Sequence, residues 1–224
     1  MMSLRRVPTL AAAGVLAAAA ATLAVERPAE TSPLQHGASD ATRAEQVLDA
    51  VRGTSSIACE LIVRSLGVGW GWGWGRMHYE PDVAREHLEL ARWTSEAPDD
   101  PAAIAPLRAA LDDPDTCVQR VAARLLGRTD HPRAVASLID ALASPNPRTR
   151  QLAAVGLGYA ESPESVDPLL GALRDDVSSV RAAAAWALGE LEDERAVRPL
   201  ARLLSDDPQP DVRRAAALAL GSMY

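Results

Sequence analysis

In the second half of the chain, apolar residues recur three and four positions apart in stretches of helical length, parted by turns rich in Asp, Pro and Ser. That period puts the apolar residues on one side of a helix. The stretches alternate. A first helix carries small apolar text that ends near a Leu-Gly pair. After a short turn comes a second helix, such as Arg195 to Leu204. The first-helix text is written four times, as Val118-Gln119 to Leu126-Gly127, Thr149-Arg150 to Leu157-Gly158, Val180-Arg181 to Leu188-Gly189 and Val212-Arg213 to Leu220-Gly221. Its glycines fall 31, 31 and 32 residues apart. A fixed period of this size predicts an all-α solenoid, an α–α superhelix of helical hairpins in which each unit hides its apolar face against its neighbours. Function is then expected on a surface and not in a pocket.

Other positions keep the same period. Ile104, Val135, Val166 and Val197 are equivalent core sites, and Pro106, Pro168 and Pro199 recur in the first turn of the second helix, where a missing N–H costs nothing. The repeated glycines sit where a helix C-cap is expected. One column, Arg124, Val155, Trp186 and Leu218, varies in character and predicts a half-exposed site, with Trp186 packed on a neighbouring helix. Trp93 has the spacing of a core residue. The last helix, just after which the chain stops, is expected to act as an end cap.

Upstream the pattern changes. Residues 1–24 read as an export signal, with Arg5 and Arg6 ahead of an apolar run and small residues at Thr22-Leu23-Ala24. The run is shorter than the ~20 residues of a comfortable span, so a membrane contact is expected only if this segment stays uncleaved. Residues 25–41 read as a flexible linker, and 42–67 as a degenerate first helical pair that aligns with 133–158 at a shift of 91. Residues 68–81 are a Gly/Trp-rich insertion, whose alternate glycines cannot hold a helix. The regular array then runs over 82–224.

Composition adds three points. Aromatic residues are 4% of the chain with no Phe, so the core must rest on close helix approach rather than on large side chains. Every base is Arg, which reads as compositional bias. Net charge is −7, and loss of Arg5 and Arg6 with the leader makes it −9, which argues against nucleic acid as a partner. The cysteines, Cys59 and Cys117, fall in predicted helices with apolar neighbours, where buried free thiols are common. A bond between them is the alternative in an oxidising compartment.

The text Asp-x-x-x-Val-Arg-x-x-Ala-Ala-x-Ala-Leu-Gly, followed by Ala-Val-x-Pro-Leu, resembles the short bacterial HEAT-like repeats first recognised in phycobilin lyases, closely over 82–224 and weakly over 42–67. The resemblance implies a right-handed stack of helical pairs. It also implies ladders between the turn aspartates Asp113, Asp175 and Asp207 and the helix arginines Arg150, Arg181 and Arg213, with Gln119 departing from the pattern. The same repeats serve as scaffolds, lyase subunits and enzymes, so the resemblance speaks to fold more than to function.

Candidate chemistry is sparse. Related deoxyhypusine hydroxylases hold iron through His-Glu pairs, but His36, His78, His87 and His131 are followed by Gly37, Tyr79, Leu88 and Pro132, so no metal or other cofactor is expected. No Gly-x-Ser-x-Gly elbow occurs. Asp112-Asp113, Asp175-Asp176 and Asp206-Asp207 recur with the repeat ahead of each first helix, where acids cap helices. The expectation is an exported, non-catalytic scaffold of the bacterial envelope, periplasmic or secreted, that binds a protein on the concave surface lined by its second helices. Its candidate contact residues are Arg195, Arg198 and Arg202. Trp70, Trp72 and Trp74 form a second candidate, which either plugs the array or binds a glycan. A lyase-like chromophore or cofactor chaperone is the enzymatic alternative.

Overall fold

The computed structural model describes residues 39–56, 59, 98 and 100–223. The leader 1–24, most of the linker, and the insertion 68–81 with Trp70, Trp72, Trp74 and His78 lie outside them, as do His36, His87 and Trp93. Among the described residues there are nine α-helices and no strand. They are α1 (Asp40–Val51), α2 (Ile104–Ala109), α3 (Thr116–Arg128), α4 (Pro132–Ala141), α5 (Pro147–Ala160), α6 (Val166–Ala172), α7 (Ser178–Leu191), α8 (Val197–Asp206) and α9 (Pro210–Ser222). None of them is long and apolar enough to cross a membrane.

The helices begin where their sequence says they should. Asp115 accepts from the N–H groups of Cys117 and Val118 at the start of α3, and Asn146 from that of Arg148 at the start of α5. Proline occupies the first turn of α4, α5 and α9. Each turn aspartate folds its own corner. Asp113, Asp175 and Asp207 accept from the backbone two residues on, and Ser144 does the same for Asn146.

First helices α3, α5, α7 and α9 pack in series, and each second helix packs on the first helix that follows it. The repeated glycines make this series possible, though not as caps. Gly127, Gly158 and Gly189 lie inside their helices with ordinary helical φ, and the left-handed turn is taken by Glu161 (φ 47) and Glu192 (φ 51). A Cβ on Gly158 would come 2.7 Å from the Trp186 ring, and one on Gly189 would come 2.7 Å from the Ala219 Cα. On Gly127 it would strike the Gly156 carbonyl. Small residues at these points let backbones approach closely, so alanine faces can fill the seam without large side chains. Ala123, Ala154 and Ala185 are fully buried there.

Ion-pair rungs cross the α5–α7 seam and the α7–α9 seam. Arg150 donates Nε and Nη2 to Asp175 at 2.7 and 2.9 Å, and Arg181 donates the same pair to Asp207 at 2.7 and 3.1 Å. The third nitrogen, Nη1, returns to a carbonyl of the turn behind, at Ser144 and Asp175 respectively. At Gln119, where the sequence departs from the ladder pattern, no Arg–Asp rung forms, and Ser144 stands where the aspartate would be. Gln119 instead accepts from Arg148 Nε, and the Thr149 hydroxyl bonds Asp112. Asp113 is taken by a residue the ladder did not include. Arg52, just after α1, donates a bidentate pair to it at 2.9 and 2.9 Å.

That contact docks α1 on α2 and α3. The backbone N–H of Gly53 also donates to Asp115, at 2.8 Å. Next to it Cys59 and Cys117 are bonded, with Cα atoms 5.7 Å apart, which corrects the reading of two free thiols. The bond joins residues 58 apart in sequence, beside the Arg52 and Gly53 contacts that tie the same two segments. Helix α1 starts at Asp40, capped by Ser39, slightly earlier than the 42 expected for the first pair.

Candidate functional site: the second-helix surface

The sequence points to Arg195, Arg198 and Arg202, and the structure divides them. Arg195 sits in the 3-10 turn Glu194–Ala196, where Asp193 accepts from both its backbone N–H and its guanidinium, at 2.9 Å each. Its other end donates to Asp167 on α6 at 3.0 Å. The pairing holds the Asp193 carboxyl below the usual carboxylate range and raises Arg195. Arg195 therefore stays charged and is already engaged by two carboxylates. Arg198 and Arg202 lie one helical turn apart on α8, exposed, with no ion-pair partner among the described residues. Leu200 between them turns inward and is fully buried.

The same surface carries exposed Arg133 and Asp140 on α4, Asp167 on α6 and Arg174 just past it. Its charge is thus mixed along α4 and α6 and becomes basic at α8. Nothing in the sequence around Arg195 signals its loss to Asp167, because the two are 28 residues apart.

A different feature was not expected. A surface cleft of about 420 Å³ opens between the turn after α3 and the turn after α5, lined by residues 127–132, Val135, 159–162 and Glu164. Three of its polar groups are engaged in holding the fold. His131 accepts the Arg133 N–H on Nδ1, the Thr129 hydroxyl donates to the Leu125 carbonyl, and the Tyr159 hydroxyl takes Arg124 at 3.4 Å. Arg124 also lies over the Tyr159 ring, 4.6 Å from its centre, and Trp186 meets that ring edge-on at 5.2 Å. Trp186 thus packs on its neighbour as its place in the variable column predicts. Arg124, in the same column, is buried instead of half-exposed, and burial lowers its pKa.

One repeat further along this edge, Glu190 stands beside Glu161 and Glu192. Burial first, and then those two like charges, lift its carboxyl above the usual range. Among the described residues no three His, Cys, Asp or Glu side chains converge as a metal ion would require.

No curated protein matches the chain. Among solved structures it is similar to the CpcE–CpcF complex of phycocyanin lyase from Nostoc sp. PCC7120, at 22% identity over 88% of this chain and 68% of that one, with a TM-score of 0.49. It is also similar to human deoxyhypusine hydroxylase in complex with glycerol, at 17% identity over 82% and 76%, TM-score 0.46. An engineered protein matches at 20% identity over 80% and 78%, TM-score 0.41. The family model of HEAT repeats matches residues 78–146 and 135–221, the same stretch in which first helices stack through glycine seams. The match spans more than half of the sequence, and the chain belongs to the HEAT-repeat family.

Proposed function

We propose that this chain is a non-catalytic HEAT-repeat scaffold, exported to the bacterial envelope, that binds a protein partner over its second helices. The observation that carries this reading is the pair Arg198 and Arg202. They are two exposed guanidiniums without a counter-ion, on a helix face, in a chain of net charge −7. Arginine in that setting suits a carboxylate-bearing surface, which it can grip bidentately. Arg195 on the same surface is already engaged by Asp193 and Asp167.

Export is supported by the basic and apolar amino terminus and by the Cys59–Cys117 bond, since such bonds persist in oxidising compartments. The test is affinity capture from native envelope with the wild type and with Arg198→Ser/Arg202→Ser. One protein partner, held more weakly by the variant and released by salt, is the expected result. Capture that the variant leaves unchanged would discard the surface. A bound pigment or small molecule in place of a protein would favour the lyase-like alternative. Binding to envelope glycans, lost on replacing Trp70, Trp72 and Trp74, would shift the function to the insertion. Recovery of the chain from the cytoplasm with its leader intact would end the export assignment.

A further inference from the structure

The turns that follow α3, α5 and α7 correspond residue by residue, counted from the seam glycines Gly127, Gly158 and Gly189. The third residue is acidic each time, as Asp130, Glu161 and Glu192, and all three are exposed. The sixth is Arg133, Glu164 and Arg195. In the last of these turns the sixth residue supplies a cation from within the chain, since Arg195 binds Asp193 and reaches across to Asp167. In the middle turn Glu164 stands in its place. A carboxylate there occupies the position of the internal base.

The cleft of about 420 Å³ opens at this middle turn, opposite the turn after α3. Asp130, Glu161 and Glu164 all line it, and among the described residues no base pairs with any of the three. Arg128, the arginine of the lining, is itself engaged, and Arg133 on α4 pairs with none of them. Glu161 also lies beside Glu190, whose carboxyl is held above the usual range by burial and then by Glu161 and Glu192. The carboxyl ends of α3 and α5 meet at the same place, and the partial negative charge of helix ends adds to that of the side chains. At the other ends of the first helices the balance differs, because Arg150 and Arg181 answer Asp175 and Asp207.

We propose that this cleft receives an arginine side chain from an exposed segment of a partner protein, which supplies the cation that the middle turn lacks. A guanidinium suits the site by shape as well as by charge, because its planar fork bonds carboxylates in pairs. Val135, Pro132 and Tyr159 line the cleft alongside the acids, and the aliphatic stem of an arginine can lie on such groups while its head meets the carboxylates. The volume is near the low end of the range of about 300–1,000 Å³ typical of small-ligand sites, which fits one or two side chains and not a folded surface. The proposal does not depend on which partner the second helices bind.

Titration of the full chain with a blocked Gly-Arg-Gly peptide, followed by amide NMR shifts, tests it. Saturable binding with a Kd on the order of 1 mM is expected, with the shifts confined to residues 128–135 and 159–164. The isosteric citrulline peptide, which has no charge, should not bind. Glu161→Gln/Glu164→Gln should weaken binding about tenfold or more. Asp140→Asn/Asp206→Asn removes the same charge from other exposed positions and should leave the affinity unchanged. Ser162 lines the cleft and makes no cap hydrogen bond with its side chain, so Ser162→Arg offers a guanidinium from within and should abolish peptide binding without lowering the melting temperature. No saturation up to about 20 mM, shifts scattered over the surface, equal binding of the citrulline peptide, or indifference to the cleft variants would overturn the proposal, as would a free diamine bound as tightly as the peptide.

Discussion

The seam that joins α1 to α3 and the seams that join α5, α7 and α9 do the same task with different chemistry. The periodic seams are close contacts of glycine and alanine crossed by one Arg–Asp rung. The first seam lacks the periodic text, and there a disulfide, a bidentate Arg52–Asp113 pair and the Gly53 N–H on Asp115 take over. Close approach needs a whole helix of matched small residues, whereas covalent and ionic ties need only a few residues placed well. The difference suggests that a degenerate unit can be held to a regular stack once a few strong bonds replace its lost complementarity.

The largest effect should come from the first seam. Replacing Cys59 and Cys117 by Ser should cost about 2–4 kcal/mol of stability, because the open chain regains the entropy that the cross-link removes. Urea unfolding of oxidised wild type against the double variant measures it. A loss below half a kcal/mol would mean that α1 is held mainly by Arg52 and Gly53.

The periodic seams should break through their glycines. Gly189→Ala removes a helix-weakening residue yet drives a Cβ to 2.7 Å from the Ala219 backbone, so overpacking wins and about 1–3 kcal/mol is lost. Thermal unfolding reads this. A stabilised Gly189→Ala would show that α7 and α9 can part at little cost, and the close-contact account of these seams would fail.

Acid should act on the rungs next. Arg150, and hydrogen bonds after it, hold the Asp175 carboxyl down at about 2, and Arg181 likewise holds Asp207 low. As pH falls the unfolded chain takes up protons at these groups before the folded one does. Their contribution is therefore complete above about pH 5 and drains away as pH falls, on the order of 1 kcal/mol for Asp175 after solvent screening. Asp175→Asn and Asp207→Asn should flatten the stability profile across that window. A profile as steep as that of the wild type would remove the rungs from the account.

The smallest effect is the control. Gly171 in α6 is exposed, and a Cβ there meets nothing within 4 Å, so Gly171→Ala should stabilise by up to about 1 kcal/mol. Opposite signs at Gly171 and Gly189 would separate helix propensity from seam packing.

Much of this was legible in the sequence, for local reasons. The period located the first helices, the turn aspartates marked the corners, and the variable column holding Trp186 announced a packing contact that the Tyr159 ring supplies. The glycines were legible as important and misread as caps. A glycine near a helix end looks the same whether it turns the chain or admits a neighbour, and the left-handed turns fell to Glu161 and Glu192, which carry no such mark. At the candidate site, Arg198 and Arg202 lie exposed on the second-helix surface as expected, but the loss of Arg195 to Asp167 could not be read, because their meeting depends on how α6 stands beside the turn ahead of α8.

What the chain determined by itself is the repeating unit, since helix period, turn chemistry and small-residue text act over neighbouring positions. What only the tertiary structure decided is which partners those units find: Cys59 for Cys117, Arg52 for Asp113, and open water for Leu218. Local forces specify a helix and its oily side. The identity of the surface that covers that side is set by packing across tens of residues, where spacing along the chain no longer measures distance in space.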